Sequence, residues 1–239
     1  MKFLNLDSPF MQGLGKMADL MWLNVLTLLC CLPIVTIGAS LTAMNYMALK
    51  IARNEECYIT RGFFKSFKEN FKQATLIWLI FLFVILILAG DFIIMRNSGI
   101  EFGDWFQGVI IAISILVLFA LMYVFPVLAK FENTVFRTIK NAFLMSLMQL
   151  PKTVLMIIMY AIPVVVFFFV IQLMPLALLF GLSLPAWVSA KLYNKFFKKL
   201  EDQILAESTP EGGESEPEED ERIFKDELDP ALADKQINQ

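Results

Sequence analysis

At 239 residues, 58% of them hydrophobic, with 23 Phe and a mean hydropathy of +0.65, the chain lies well above the ~45–50% apolar content of a soluble domain. Its formal charge of −3 hides an asymmetry: residues 1–200 carry 17 Lys and Arg against 9 Asp and Glu, and 201–239 carry 3 against 14. A soluble globular domain is excluded, as is a disulfide framework, because Cys30, Cys31 and Cys57 are too few and badly spaced.

Apolar blocks of bilayer length predict an all-α integral membrane bundle of about five transmembrane helices, since a helical crossing needs about 20 apolar residues. The first span is predicted over Ala18–Ile37. A cleaved signal peptide is the rival reading, but the segment is too long and contains Asn24 and Pro33. Near its end "LPIVTIG" brings Pro33, Thr36 and Gly38 together. A proline frees a carbonyl near Leu29, a hydroxyl can help satisfy it, and glycine permits an abrupt turn. This predicts a kink from which "LTAMNYMALKIAR" leaves along the membrane surface. The alternative is a small polar site at a broken helix, formed by Pro33, Thr36, Gly38 and Thr42.

The next segment, "TRGFFKSFKENFKQ" (60–73), places Phe63, Phe64, Phe67 and Phe71 on one arc with Lys65, Lys68 and Lys72 beside it. It reads as an interfacial cytoplasmic helix whose rings enter the acyl boundary while its cations meet anionic head groups of the bilayer. Packing on the rest of the protein is the alternative. A second span over Ala74–Met95 and a third over Gly108–Ala129 follow. Phe131, Val135, Ile139 and Phe143 then form one face of an amphipathic segment, opposite Arg137, Lys140 and Asn141, and "LMSLMQLP" lies along the interface until Pro151 stops it.

Residues 153–190 would be about 57 Å long as one helix, too long for a ~30 Å core. A turn at "QLMP" (172–175) gives spans over 153–172 and 176–192, and "GLSLP" (181–185) is the competing turn. The transmembrane domain thus covers 1–199. The acidic stretch 200–239 reads as a disordered cytoplasmic tail.

Lys and Arg alternate between rich and poor connections along these spans, which predicts the N-terminus outside and the C-terminus in the cytoplasm. Asp19 and Asp91 then sit near the outer surface as interfacial charges, with Lys16 and Arg96 as neighbours. Histidine is absent, and no H-E-x-x-H, phosphate-cradling glycine loop or cysteine cluster occurs. The expectation is therefore a protein that is not an enzyme and has no cofactor or metal. No basic cluster has a nucleic-acid-binding fold behind it, so nucleic acid is not an expected partner.

Leu32, Pro33, Thr36, Gly38, Thr42 and Ala43, then Phe63, Phe64, Phe67, Asn70 and Phe71, and later Phe125, Pro126 and Phe131, resemble the pattern of the YesL family of bacterial multi-pass membrane proteins. The resemblance covers about residues 5–195 and leaves out the acidic tail. It implies a bacterial plasma-membrane protein encoded beside carbohydrate ABC-transporter genes, and no established activity or site residues. An accessory or regulatory component of carbohydrate ABC transport, in contact with permease subunits, is the reading this favours. A small transporter or channel in its own right and a membrane sensor are the alternatives, and a homo-oligomer is compatible with each.

Overall fold

The computed structural model describes residues 9–55, 58–97, 104–169 and 171–208. Among these, the secondary structure is helical, with no strand. The α-helices are α1 (Pro9–Cys31), α2 (Ile37–Arg53), α3 (Ile59–Asn97), α4 (Asp104–Lys130), α5 (Val135–Met148), α6 (Leu150–Phe169), α7 (Met174–Phe180) and α8 (Ser183–Ser208). Short 3-10 turns at Ile34–Thr36 and Ile171–Leu173 link α1 to α2 and α6 to α7. Residues up to Phe196 form one compact unit, and a second begins at Phe197, of which the continuation of α8 is described. Cys57 and residues 209–239, most of the predicted tail, lie outside the described residues. The helix reaches Ser208, past the boundary expected near 199.

Pro33 acts where the sequence placed it. The residue before a proline avoids helical geometry, α1 ends at Cys31, and Pro33 itself is extended at φ −76° and ψ 123°. The chain then does something the sequence reading did not anticipate. Instead of leaving along the membrane surface, α2 doubles back along α1, so that Ser40 Oγ donates to the Thr27 carbonyl at 2.9 Å and Lys16 Nζ reaches Asn54 Oδ1 at 2.5 Å. The hairpin is long and antiparallel, and 67% of α2's most apolar stretch is buried inside the protein, against 11% in α3 and in α6. α2 is the central helix because Ala39, Ser40, Ala43 and Ala48 give it a slim surface on which neighbours can close.

This hairpin corrects the expected threading. Lys16 and the connection that follows α2 lie at the same end of it, so α1 does not separate them as a single crossing would. Asn54 closes α2 in the left-handed region at φ 61°, where the Asn54 and Glu55 N–H groups cap the Ile51 and Lys50 carbonyls.

α3 is one uninterrupted 39-residue helix, about 58 Å long at 1.5 Å per residue. The expected interfacial helix and second span are therefore a single rod. Its first half runs antiparallel to α2, with Gly62 against Met47 and Gly38 against Ala74 and Trp78. At the other end of the chain both candidate turns are used. The 3-10 turn at 171–173 separates α6 from α7, and a 49° bend separates α7 from α8. Pro151, expected to end a segment, instead begins α6: only Gln149 interrupts α5 and α6, and proline in a first helical turn lacks only an N–H that would have had no partner there.

Among the described residues, five helices are long and apolar enough to cross a membrane, namely α1, α2 with its preceding turn, α3, α4 and α6, and the bent α7–α8 pair passes the same test as one unit. Side-chain sorting agrees with a lipid solvent. Buried positions include Ala74, Ala120, Ala142, Ala186 and Ala190, together with Thr27, Thr42, Ser183 and Ser189, while Phe83, Leu86, Phe92, Phe168 and Phe169 face outward. A soluble monomer does not expose so large an apolar surface. In a bilayer, where burying Leu or Phe brings little gain over leaving it in lipid, small residues at helix contacts are the rule.

Candidate functional site

The four residues of the expected polar site lie in and just after the α1–α2 turn. Pro33 and Thr36 form the tip of the α1–α2 hairpin, Gly38 opens α2, and Thr42 lies one turn further on. The Thr36 hydroxyl lies 2.6 Å from the Cys30 carbonyl and 2.8 Å from that of Pro33, while the Thr36 N–H donates to Pro33 at 3.0 Å. The Trp78 indole N–H reaches across from α3 to the Ile34 carbonyl at 2.8 Å. Thr42, fully buried, donates to the Gly38 carbonyl at 2.8 Å. A Cβ at Gly38 would strike the Ala74 carbonyl and come within 2.6 Å of Trp78 Cβ. Glycine is required there because two helix backbones touch. The four predicted residues are together, and the donors and acceptors named here are engaged by the protein's own chain.

A second break is held by a residue the sequence reading used only as evidence against a signal peptide. Asn24 of α1 is completely buried. Its Nδ2 donates to the Leu178 carbonyl at 2.7 Å, and its Oδ1 accepts the N–H groups of Leu182 and Ser183, each at 2.9 Å. Freed backbone groups at a helix break in hydrocarbon need such a partner. An asparagine inside an apolar run, opposite a Gly-Leu-Ser-Leu-Pro break, was the available signal, but sequence cannot say which break it serves. Comparable ties are Arg53 Nε to Asn194 Oδ1 at 2.8 Å, joining α2 to α8, and Thr153 Oγ1 to the Ser146 carbonyl at 2.9 Å, joining α6 to α5.

The basic, phenylalanine-rich first half of α3 divides between two roles. Phe63 is fully buried, whereas Phe64 and Phe71 are exposed and Phe67 is half-buried. The rings of Phe63, Phe67 and Phe71 run in a ladder with centroids 6.2 and 5.5 Å apart. Lys68 and Lys72 point outward, and Lys65 is half-buried. Phe63 thus follows the packing alternative, and Phe64, Phe71, Lys68 and Lys72 keep the surface that an interfacial helix needs.

Two further features of the described residues are clefts. One, of about 430 Å³, is lined by Asp19, Trp22, Tyr58, Ile59, Thr60 and Arg61, with the Trp22 indole donating to Thr60 Oγ1 at 2.9 Å. Asp19 therefore shares a cleft with Arg61 and is not on the far side of the protein from it, and Lys16 is directed to Asn54. The other, of about 520 Å³, lies between α3, α4 and α5 and is apolar apart from Lys140. Among the described residues no cluster of three metal-ligating side chains occurs.

A family described as "Protein of unknown function, DUF624" matches residues 20–92, which run from α1 through the hairpin and most of α3. No curated protein and no solved structure matches the chain.

Proposed function

We propose that the chain is a bacterial plasma-membrane protein of the YesL type that serves as an accessory or regulatory component of carbohydrate ABC transport, contacting permease subunits. The observation that carries an accessory role over a transport pathway is the state of the helix breaks. Thr36, Trp78 and Asn24 hold the freed backbone groups at Cys30, Ile34, Leu178, Leu182 and Ser183. Transporters instead turn such broken ends toward a substrate. Breaks closed in this way build a scaffold with fixed surfaces.

For orientation we propose that the cationic ends face the cytoplasm. The hairpin places Lys16 beside Asn54, so this proposal now carries the N-terminal end of α1 inside as well, in place of the outside position expected from the sequence. The surface offered to a partner there includes Lys68, Lys72 and the exposed rings of Phe64 and Phe71, which also suit anionic head groups.

The test is affinity purification of the tagged full-length protein in mild detergent from sugar-grown cells, with and without crosslinking. Recovery of a permease or its ATPase subunit supports the reading. Recovery of the protein without either, under crosslinking as well, overturns it.

A further inference from the structure

The apolar cleft between α3, α4 and α5 has a shape and chemistry that the proposed function does not use. We propose that it is a binding site for one anionic phospholipid, with an acyl chain in the cleft and the phosphate on Lys140.

The argument begins with the lining. Ala120 of α4 and Phe81 of α3, each 6% exposed, are the most enclosed residues of the lining, which also includes Val84, Val117 and the exposed Phe136 and Lys140 of α5. A volume of about 520 Å³ lies within the range of ligand sites, about 300–1,000 Å³. The cleft is deep because Ala120 is small where the surrounding positions carry Ile, Leu, Val or Phe. Around its mouth Ile80, Ile113 and Leu116 face outward and Phe136 is 86% exposed. With lipid as solvent, this mouth meets acyl chains. An unfilled groove would forfeit dispersion contacts along its whole lining, so a chain enters it.

Charge then selects among lipids. Lys140 is the one ionisable residue in the lining, and Arg137 precedes it by three residues on the same exposed stretch of helix. α5 itself contains no acidic residue, and the nearest carboxylate in sequence, Glu132, precedes the helix by three positions and is outside the lining. A cation near an anionic lipid surface favours the charged head group about fivefold. The unusual sorting of α5 supports the same occupant: Thr138, Ala142 and Ser146 are buried, while Phe136, Leu144, Leu147 and Met148 face outward. The helix therefore docks mainly through small residues, with Met145 the one large side chain buried among them, and presents Phe136, Leu144, Leu147 and Met148 to lipid.

The inference rests on the bilayer reading and not on the transporter partnership. The full chain is reconstituted in nanodiscs of equal phosphatidylglycerol and phosphatidylcholine, and lipid adducts that survive activation are counted by native mass spectrometry. Wild type is expected to retain phosphatidylglycerol about fivefold over phosphatidylcholine. Lys140→Gln should reduce that ratio to about one, and Ala120→Phe, which fills the cleft, should remove the retained adduct of either lipid. Arg96→Gln, exposed at the far end of α3 and outside the cleft lining, should leave the ratio unchanged. Equal retention of both lipids by wild type, or an unaltered adduct in Ala120→Phe protein that runs as a folded peak, overturns the site. So does crosslinking that finds a second copy of the chain in the cleft. Incorporation of every variant into nanodiscs separates failure of the site from failure of the membrane reading.

Discussion

Gly38 and Asn24 show how single residues determine this fold. At Gly38 the clash arises at the first side-chain carbon, against the Ala74 carbonyl and Trp78, so even Gly38→Ala should destabilise the protein, by about 1–3 kcal/mol. At about 2–4 °C per kcal/mol, a thermal melt in detergent will read this, and an unchanged midpoint would mean the helices do not touch there. Asn24→Leu keeps the volume but leaves the Leu178 carbonyl and two N–H groups without their partner. A loss of about 1–3 kcal/mol is expected, measured in the same way. The glycine and the asparagine were both visible in the sequence. Their partners were not, because Ala74 lies 36 positions from Gly38 and Leu178 lies 154 from Asn24, and no local rule links them.

Among the elements, α2 and α5 departed furthest from their sequence patterns. Hydrophobic periodicity describes which face avoids water, and both segments were read that way. In lipid the useful contrast is between small and large side chains, which periodicity in hydrophobicity does not register. α5 illustrates this, since Thr138 and Ser146 are buried while Leu144 and Leu147 are not. Ala142→Leu should therefore destabilise the α4–α5 contact by about 1–3 kcal/mol. Leu147→Ala, a change of the same size in the opposite direction, should stay within about 0.5 kcal/mol. Chemical unfolding of the two variants in detergent compares them, and the reverse order would place α5's contact face on the other side.

For the molecule as a whole, the decisive contact is that of Lys16 with Asn54. With α1 and α2 as two crossings, it predicts that the start of α1 and the α2–α3 connection share one side of the bilayer. With Cys30, Cys31 and Cys57 replaced, single cysteines at Lys16 and Arg61 should react with an impermeant maleimide from the same side of sealed vesicles. A cysteine at Arg96, at the other end of the 39-residue α3, should react from the opposite side. Labelling of positions 16 and 61 from opposite sides would refute the hairpin.

Composition, run length and the placement of Pro33 determined that this is a helical protein with lipid-length apolar segments, and they marked the first break and two alternative positions for one later turn, both of which the chain uses. Those are properties of a segment and its solvent, and each is written locally in the chain. Whether α2 leaves α1 or folds back on it was decided by tertiary structure alone. That choice depends on the close fit of Gly38, Ser40 and the neighbouring alanines against α1 and α3, where backbone approach and buried hydrogen bonds between distant residues set the energy. With it the tertiary structure also brought the N-terminal part of α1 beside the α2–α3 connection, and left an apolar cleft between α3, α4 and α5 with Lys140 in its lining.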